Sequence, residues 1–129
     1  MTLEQKLHEM WSLDPTLPGL LPIERVFTGC APPDAVPPYA VLERRQGRIV
    51  RNTSHSQVAQ IDCVWTARAA TYEEAALLIR ALAECFDRQS FACDEGLVAL
   101  LRRREEARTL PRPNRPEFTA TYEATLIRT

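Results

Sequence analysis

The stretch "VAQIDCVWTARAATYEEAALLIRALAECF", residues 58–86, decides the fold, because its hydrophobic pattern changes period halfway along. In the first part every second residue is apolar, namely Ala59, Ile61, Cys63, Trp65 and Ala67. Side chains of a strand alternate between the two faces of a sheet, so this pattern predicts a strand with one buried face. The opposite face is polar, with Gln60, Asp62 and Thr66.

The second part of the stretch predicts one long amphipathic helix. Its apolar residues recur every three to four positions, as Ala75, Leu78, Ile79, Leu82, Cys85 and Phe86. Thr71 followed by Glu74 forms a capping box, which marks the start of a helix. We expect this helix to pack on the apolar face of the sheet, with Leu77 projecting from its outer, polar side.

Shorter elements are predicted before this stretch. Residues 2–13 predict an N-terminal helix that Thr2 and Gln5 cap, and "IERVFTG", residues 23–29, predicts a strand. "YAVLERRQGRIVRN", residues 39–52, predicts a hairpin that turns around Gln46-Gly47. The tip of this hairpin would carry Arg44, Arg45, Arg48 and Arg51.

Two strands are predicted after the long helix. Leu97–Arg104 is compatible with a helix or a strand, and its position between Gly96 and a proline cluster favours a strand. The last segment, residues 117–128, alternates cleanly and should pair inside the sheet. The element order predicts one α+β domain over residues 1–129: a mostly antiparallel sheet of four to five strands, with the N-terminal helix and one long helix packed on one face.

The composition limits the classes of function. The chain has 16 basic and 17 acidic residues and a formal net charge of −1, so any binding to nucleic acid must be local. Neither a signal peptide nor a run of apolar residues long enough for a membrane span is present, which predicts a cytoplasmic protein without membrane contact.

No sequence motif predicts catalysis, a cofactor or a metal. Phosphate-binding loops, H-E-x-x-H helices and calcium loops are absent from the sequence. His8 and His55 are expected at the surface, and the widely spaced cysteines are expected to be small buried apolar groups, namely Cys30, Cys63, Cys85 and Cys93. We therefore predict that the chain is not an enzyme.

Two proline pairs, in "APPDAVPPYAVLER" at residues 31–44, stiffen the chain before the predicted hairpin. Proline has a fixed φ and no amide donor, so residues 29–38 should form an extended excursion. Such a segment could wrap the edge of its own domain, or could lie across a neighbouring subunit with little loss of conformational entropy.

The order of these features resembles a family of phage proteins. A short helix, the strand at Arg25-Val26-Phe27, a proline-rich loop into "PPYAVLE", the strand and helix of residues 58–86 and a closing strand around Tyr122 resemble the tail-completion (tail terminator, minor tail protein-like) proteins of phages and prophages. The resemblance implies an α+β subunit without catalytic residues. It implies a ring, usually hexameric, that completes the tail tube and joins it to the head.

The resemblance also implies partners, a location and surfaces. The partners would be other copies of the chain, the tail tube and the head–tail connector, with assembly in the cytoplasm and a final place in the virion tail. The candidate subunit interface consists of Pro32, Pro33, Pro37, Arg44, Arg45, Arg48 and Leu77. The candidates for non-specific DNA contact are Arg48 and Arg51.

Two alternatives from other classes stay open. In the first, the chain is a small ligand-binding or catalytic α+β domain, with its site on the polar sheet face around Gln60, Asp62 and Glu123. In the second, it is a nucleic-acid-binding module that uses the arginines of the predicted hairpin, namely Arg44, Arg45, Arg48 and Arg51.

Overall fold

One mixed sheet of seven strands forms the body of the protein and curls into a half-barrel. The computed structural model describes residues 1–104, 108–110 and 116–129. The helices are α1 (Leu3–Leu13), α2 (Leu17–Leu20) and α3 (Tyr72–Phe86), with a 3-10 turn at Ile23–Arg25. The strands are β1 (Val26–Thr28), β2 (Tyr39–Asn52), β3 (Gln57–Arg68), β4 (Gln89–Cys93), β5 (Gly96–Arg103), β6 (Arg108–Leu110) and β7 (Glu117–Arg128).

The strand order places the end of the chain in the middle of the sheet. The order is β1-β2-β3-β7-β5-β4, and β6 pairs with β7. Only the pairing of β1 with β2 is parallel among the described strands. As predicted, β7 pairs inside the sheet, in a long antiparallel register with β3.

The predicted fold class is wrong. The sheet has seven strands instead of four to five, it is mixed and curled, and the helices are short, the longest having 15 residues. Two strands were not predicted, namely β4, which follows α3 after only two residues, and β6. The strand predicted at residues 23–29 is instead a 3-10 turn followed by a three-residue parallel strand.

The predicted hairpin over residues 39–52 is also wrong, because this segment is a single strand of 14 residues. Gln46-Gly47 lies at an irregularity where the register with β3 shifts between Arg45 and Arg48. The chain reverses later, between β2 and β3, where Thr53 Oγ1 accepts hydrogen bonds from the amides of His55 and Ser56. A glycine that allows a bulge was interpreted as a glycine that makes a turn.

Several local predictions are confirmed. Thr2 and Gln5 form the capping box of α1. Thr71 caps α3 by accepting from the Glu74 amide, but the predicted box is only half formed, because the Glu74 carboxylate accepts from the Ala70 amide. Of the segment Leu97–Arg104, all residues but Arg104 lie in the strand β5, Gly96–Arg103. The alternating residues of β3 and β7 lie on the face that packs against the helices, here called the inner face, and the opposite face is called the outer face.

Aromatic side chains join the helices to the inner face. The Trp65 and Phe86 rings stack with centroids 5.3 Å apart, and Trp11 lies 5.2 Å from Trp65. Tyr122 of β7 meets Phe86 edge-on at 6.2 Å. The indole of Trp11 also donates a hydrogen bond to the Leu21 carbonyl at 3.0 Å, so α1 and the segment after it are fixed together.

Candidate functional site

Arg44 joins three separate parts of the chain within one subunit. From β2 its guanidinium donates to both carboxylate oxygens of Glu4 on α1 and to both of Glu95 in the turn between β4 and β5, where the distances are 2.6 and 2.7 Å. These hydrogen bonds raise the pKa of Arg44 and lower that of Glu95. Arg44 therefore lies in an internal ion-pair cluster and not at the tip of a hairpin.

A groove lined by arginine runs along β2 beyond this cluster. Its cavity measures about 310 Å³ and is lined by Arg44, Arg45, Gly47, Arg48, Ile49, Ala59, Ile61 and Arg128. The Arg48 guanidinium donates to Gln60 Oε1, and Arg128 donates to Gln57 Oε1. Within the described part of the chain, no ion pair joins Arg45, Arg48 or Arg51 to a carboxylate. These three arginines therefore keep a local positive charge.

Most of β2 is an open sheet edge. Its partner β1 covers only Ala40–Leu42, and no other described strand pairs on that side of Glu43–Asn52. Ile49 and Val50 on this edge are 59% and 54% exposed. We refer to residues 43–52 as the open edge. Unpaired amides and carbonyls of this kind can accept another strand.

The outer-face carboxylates Asp62 and Glu123 lie opposite each other on β3 and β7, as the alternating patterns implied. Each faces an arginine: Arg104 donates to Asp62 at 2.7 Å, and Arg102 lies 3.6 Å from Glu123. The hollow that they line, with Arg48 and Gln60, has a volume of about 130 Å³. Pockets for small molecules measure roughly 300–1,000 Å³, so this hollow is small for a ligand site.

The proline excursion is held to its own subunit. A turn closes within it, where the Ala35 amide donates to the Pro32 carbonyl, and Arg25 Nη1 donates to the Val36 carbonyl at 3.0 Å. The predicted interface residues Pro32, Pro33 and Pro37 are all exposed. Hydrogen bonds within the subunit therefore hold the excursion in place, while Pro32, Pro33 and Pro37 stay exposed to solvent.

The helix residue Leu77 is 49% exposed on the outer side of α3, as predicted. It lines a hollow of about 360 Å³ with Glu73, Ala76 and Arg80. Of the predicted interface residues, Arg44, Arg45 and Arg48 share one groove, whereas Leu77 lies on a different element. Arg51 lies on the open edge, close to this groove in sequence and outside its lining. That any of these residues forms a subunit contact stays a prediction.

The sequence analysis missed exposed apolar residues on β5. Leu97 and Leu100 are 46% and 38% exposed on the outer face, opposite the side that packs in the core. The run "LVALL", residues 97–101, could have signalled them, because it places apolar residues on both faces of a strand. A strand with one solvated face normally alternates instead.

The histidines and cysteines depart in part from the prediction. His55 is exposed as expected, but His8 is half-buried against Trp65, hydrogen-bonded to Thr28 Oγ1, and burial lowers its pKa. Cys63 and Cys85 are buried, and burial raises the pKa of each thiol to about 12. The prediction is wrong for Cys30, which is exposed, and holds only in part for Cys93, which is half-buried against the core.

Neither a metal-binding cluster nor a membrane-spanning helix is present in residues 1–104, 108–110 and 116–129. In these ranges no group of three or more His, Cys, Asp or Glu side chains is placed to hold a metal ion. No helix of the same ranges is long and apolar enough to cross a membrane.

The fold defines a class of small domains in which a curled mixed sheet is covered by short helices on its inner face. Neither family models nor curated proteins match the sequence. Among solved structures, a chain of "Virion of native gene transfer agent (GTA) particle" has a TM-score of 0.79, is 14% identical, and is matched over 98% of this chain and 95% of that chain. At this identity the comparison shows that the two chains share a fold.

Proposed function

We propose that this chain is a structural subunit of a phage or prophage tail, in which several copies form a ring that completes the tail tube and joins it to the head. The partners would be further copies of the chain, the tail tube and the head–tail connector. The proposal gives the chain no catalytic step and no cofactor.

The fold likeness to a virion chain carries this proposal. It extends over 98% of this chain and 95% of that chain. The order of sequence features resembles tail-completion proteins independently of that comparison. Fold alone hosts many functions, so the surfaces and a direct experiment must support the assignment.

The distribution of surface features also supports an assembly role. Exposed large apolar side chains occur on β2, α3 and β5, as well as at Met1, Leu13 and Val36, and the open edge offers unpaired backbone groups. Contiguous exposed apolar groups with a polar rim are typical of protein contacts. By contrast, the outer-face carboxylates lie in a small hollow and face arginines.

The experiment is localisation in particles. Particles are induced from cells that encode the chain, purified on a density gradient, and analysed by mass spectrometry and by gold-labelled antibody in the electron microscope. We expect the chain in the particle fraction, with label at the junction of head and tail. Deletion of its gene should give heads without joined tails, and a complementing copy should restore joining.

Other outcomes are equally decisive. Absence of the chain from purified particles, together with normal particles after deletion, would contradict any virion role. Label along the tail or on the head, without label at the junction, would leave a structural role but overturn the ring at the junction.

A second candidate function, contact with DNA, is favoured by Arg45, Arg48 and Arg51, which carry positive charge along the open edge. If each neutralises one phosphate, the affinity for duplex DNA should fall roughly 40-fold when the salt concentration rises fourfold, from a log–log slope of about −0.9 per phosphate. Fluorescence anisotropy would measure this, with the three arginines changed to glutamine as the test variant. Equal affinity of the variant and the parent would show that these arginines do not contact DNA.

A further inference from the structure

An apolar patch crosses three neighbouring strands on the outer face of the sheet. Val58 of β3 pairs with Ile127 of β7, which pairs with Leu97 of β5. Leu100 follows Leu97 along β5 on the same face of the sheet. We call these four residues the sheet patch. Leu97 and Leu100 are about two-fifths exposed, and the other two are half-buried. Side chains in register on adjacent strands touch, so the patch is continuous.

The rim of the sheet patch is basic on the side of β2. Arg51 is the partner of Val58, and Arg48 is the partner of Gln60, so both arginines lie on the outer face beside the patch. Both residues are exposed. A partner for this surface should therefore offer apolar groups surrounded by carboxylates.

The outer side of α3 offers such a surface. Leu77 and Ala76 form its apolar centre, Glu73 and Arg80 complete the hollow around them, and Glu84 is exposed two turns beyond Leu77. We call these five residues the helix patch. The helix patch has one net negative charge from its two carboxylates and one guanidinium, whereas the rim of the sheet patch is positive.

The two patches lie on opposite sides of the molecule. The inward side of α3 packs in the core with the inner face of the sheet, so the helix patch points away from the sheet. The sheet patch lies on the far side of that sheet. A contact between them in two copies therefore joins different surfaces and can be repeated in the same direction.

We propose that the helix patch of one copy binds the sheet patch of the next copy, head to tail. This inference rests on the proposed ring-forming role and names the two surfaces that form the ring contact. Contacts between two different patches close into a ring when the rotation between neighbours allows it. Leu77 enters between Leu97 and Leu100, and Glu73 or Glu84 meets Arg48 or Arg51.

Charge complementarity and the burial of the exposed leucines favour this arrangement over a two-fold contact. Two sheet patches facing each other would bring the arginine rims of both copies together, which is unfavourable. Two helix patches facing each other would cover Leu77 but would leave Leu97 and Leu100 of both copies exposed. Only the head-to-tail contact covers both apolar patches with opposite charge.

The test uses variants of the full chain that each damage one patch. Leu77→Glu damages the helix patch, and Leu97→Glu damages the sheet patch, with Leu100→Glu as a second sheet variant in case Leu97→Glu does not fold. Leu13→Glu is the matched control, because Leu13 is an exposed apolar residue at the end of α1 and lies outside both patches. Circular dichroism confirms that each variant is folded, and sedimentation velocity measures its mass over a roughly hundred-fold range of concentration.

We expect the parent and Leu13→Glu to form species larger than dimers as concentration rises. Each patch variant alone should associate at least about 30-fold more weakly, because a central apolar anchor is lost. A 1:1 mixture of Leu77→Glu and Leu97→Glu should form a heterodimer and nothing larger. Each variant keeps one intact patch, and the remaining contact would place two glutamates together.

Three results would overturn the inference: a monomeric parent at the highest concentration, patch variants that associate like Leu13→Glu, or a mixture that stays monomeric. A two-fold contact through α3 would give a dimeric parent that only Leu77→Glu dissociates. The outcome is separate from that of the particle experiment. A monomeric chain found at the head–tail junction overturns this contact alone, whereas a self-associating chain absent from particles overturns the proposed function alone.

Discussion

The environment of single residues decides what the arginines of β2 do. Arg44 and Arg45 are neighbours in sequence, but their side chains lie on opposite faces of the sheet. Arg44 lies opposite Cys63 and reaches Glu4 and Glu95, whereas Arg45 lies opposite Asp62 and is exposed. A pattern of basic residues cannot distinguish these roles, because both carboxylates come from distant parts of the chain.

Changing Arg44 to Met should lower the free energy of unfolding by about 2 kcal/mol, because two half-buried carboxylates lose their donor. Urea denaturation at neutral pH measures this, and Arg45→Met is the matched control, with a change within about 0.5 kcal/mol. Arg44 lowers the pKa of Glu95 from its usual 4.5, so the stabilisation is present above pH 4.5. It is lost as pH falls through the lowered pKa. A difference between parent and variant that persists in strong acid would contradict this origin.

At the scale of elements, the sequence predicted whatever local rules determine. The caps at Thr2 and Thr71 and the alternation in β3 and β7 depend on near neighbours, and all are confirmed. The continuity of β2 depends on its pairing with β3. This pairing cannot be recognised from the residues around Gln46-Gly47, which by themselves resemble a turn. The parallel strand β1 and the short strands β4 and β6 likewise exist through their partners.

Gly47 is the residue on which the continuity of β2 depends. A Cβ at this position would lie 2.5 Å from the Gln60 carbonyl oxygen and 2.9 Å from a carbon of Ile61. Gly47→Ala should therefore lower the free energy of unfolding by about 1–3 kcal/mol, since the backbone of β3 must shift.

The control for this prediction is Gly19→Ala in α2, where a Cβ meets nothing within 4 Å. We expect this variant to be neutral or more stable by up to about 1 kcal/mol, since alanine restricts the unfolded chain. Thermal unfolding followed by circular dichroism compares the two. Equal stability of the two variants would show that β2 does not approach β3 as closely as described.

In the whole molecule, the helices and the curled sheet meet at one aromatic cluster, which holds the two layers together. Trp11, Trp65, Phe86 and Tyr122 come from α1, β3, α3 and β7, and each is fully buried. The hydrophobic patterns identified Trp65, Phe86 and Tyr122 as core residues, but not Trp11. Their placement relative to one another follows from the strand order, which no local sequence pattern contains. For the same reason, the sequence does not show that Arg44, Arg45 and Arg48 line one groove.

Trp11→Ala should lower the free energy of unfolding by about 3–5 kcal/mol, because it leaves a large cavity between the layers and removes the hydrogen bond to Leu21. Leu13→Ala, on the same helix but 75% exposed, should change it by less than about 0.5 kcal/mol. Urea titration with near-ultraviolet circular dichroism would measure both. A Trp11→Ala protein as stable as Leu13→Ala would contradict the role of α1 in joining the layers.

The open edge of β2 has a consequence for aggregation of the protein. A bare strand of that length is a template on which identical chains could stack without limit into fibrils. Its regularly spaced guanidinium groups would face those of an incoming copy, and the irregular registers near Gly47 and Val50 disturb the flatness that stacking needs. We expect the arginines that could bind a polyanion also to oppose this stacking, so neutralising all three should make the protein aggregate more readily at high concentration.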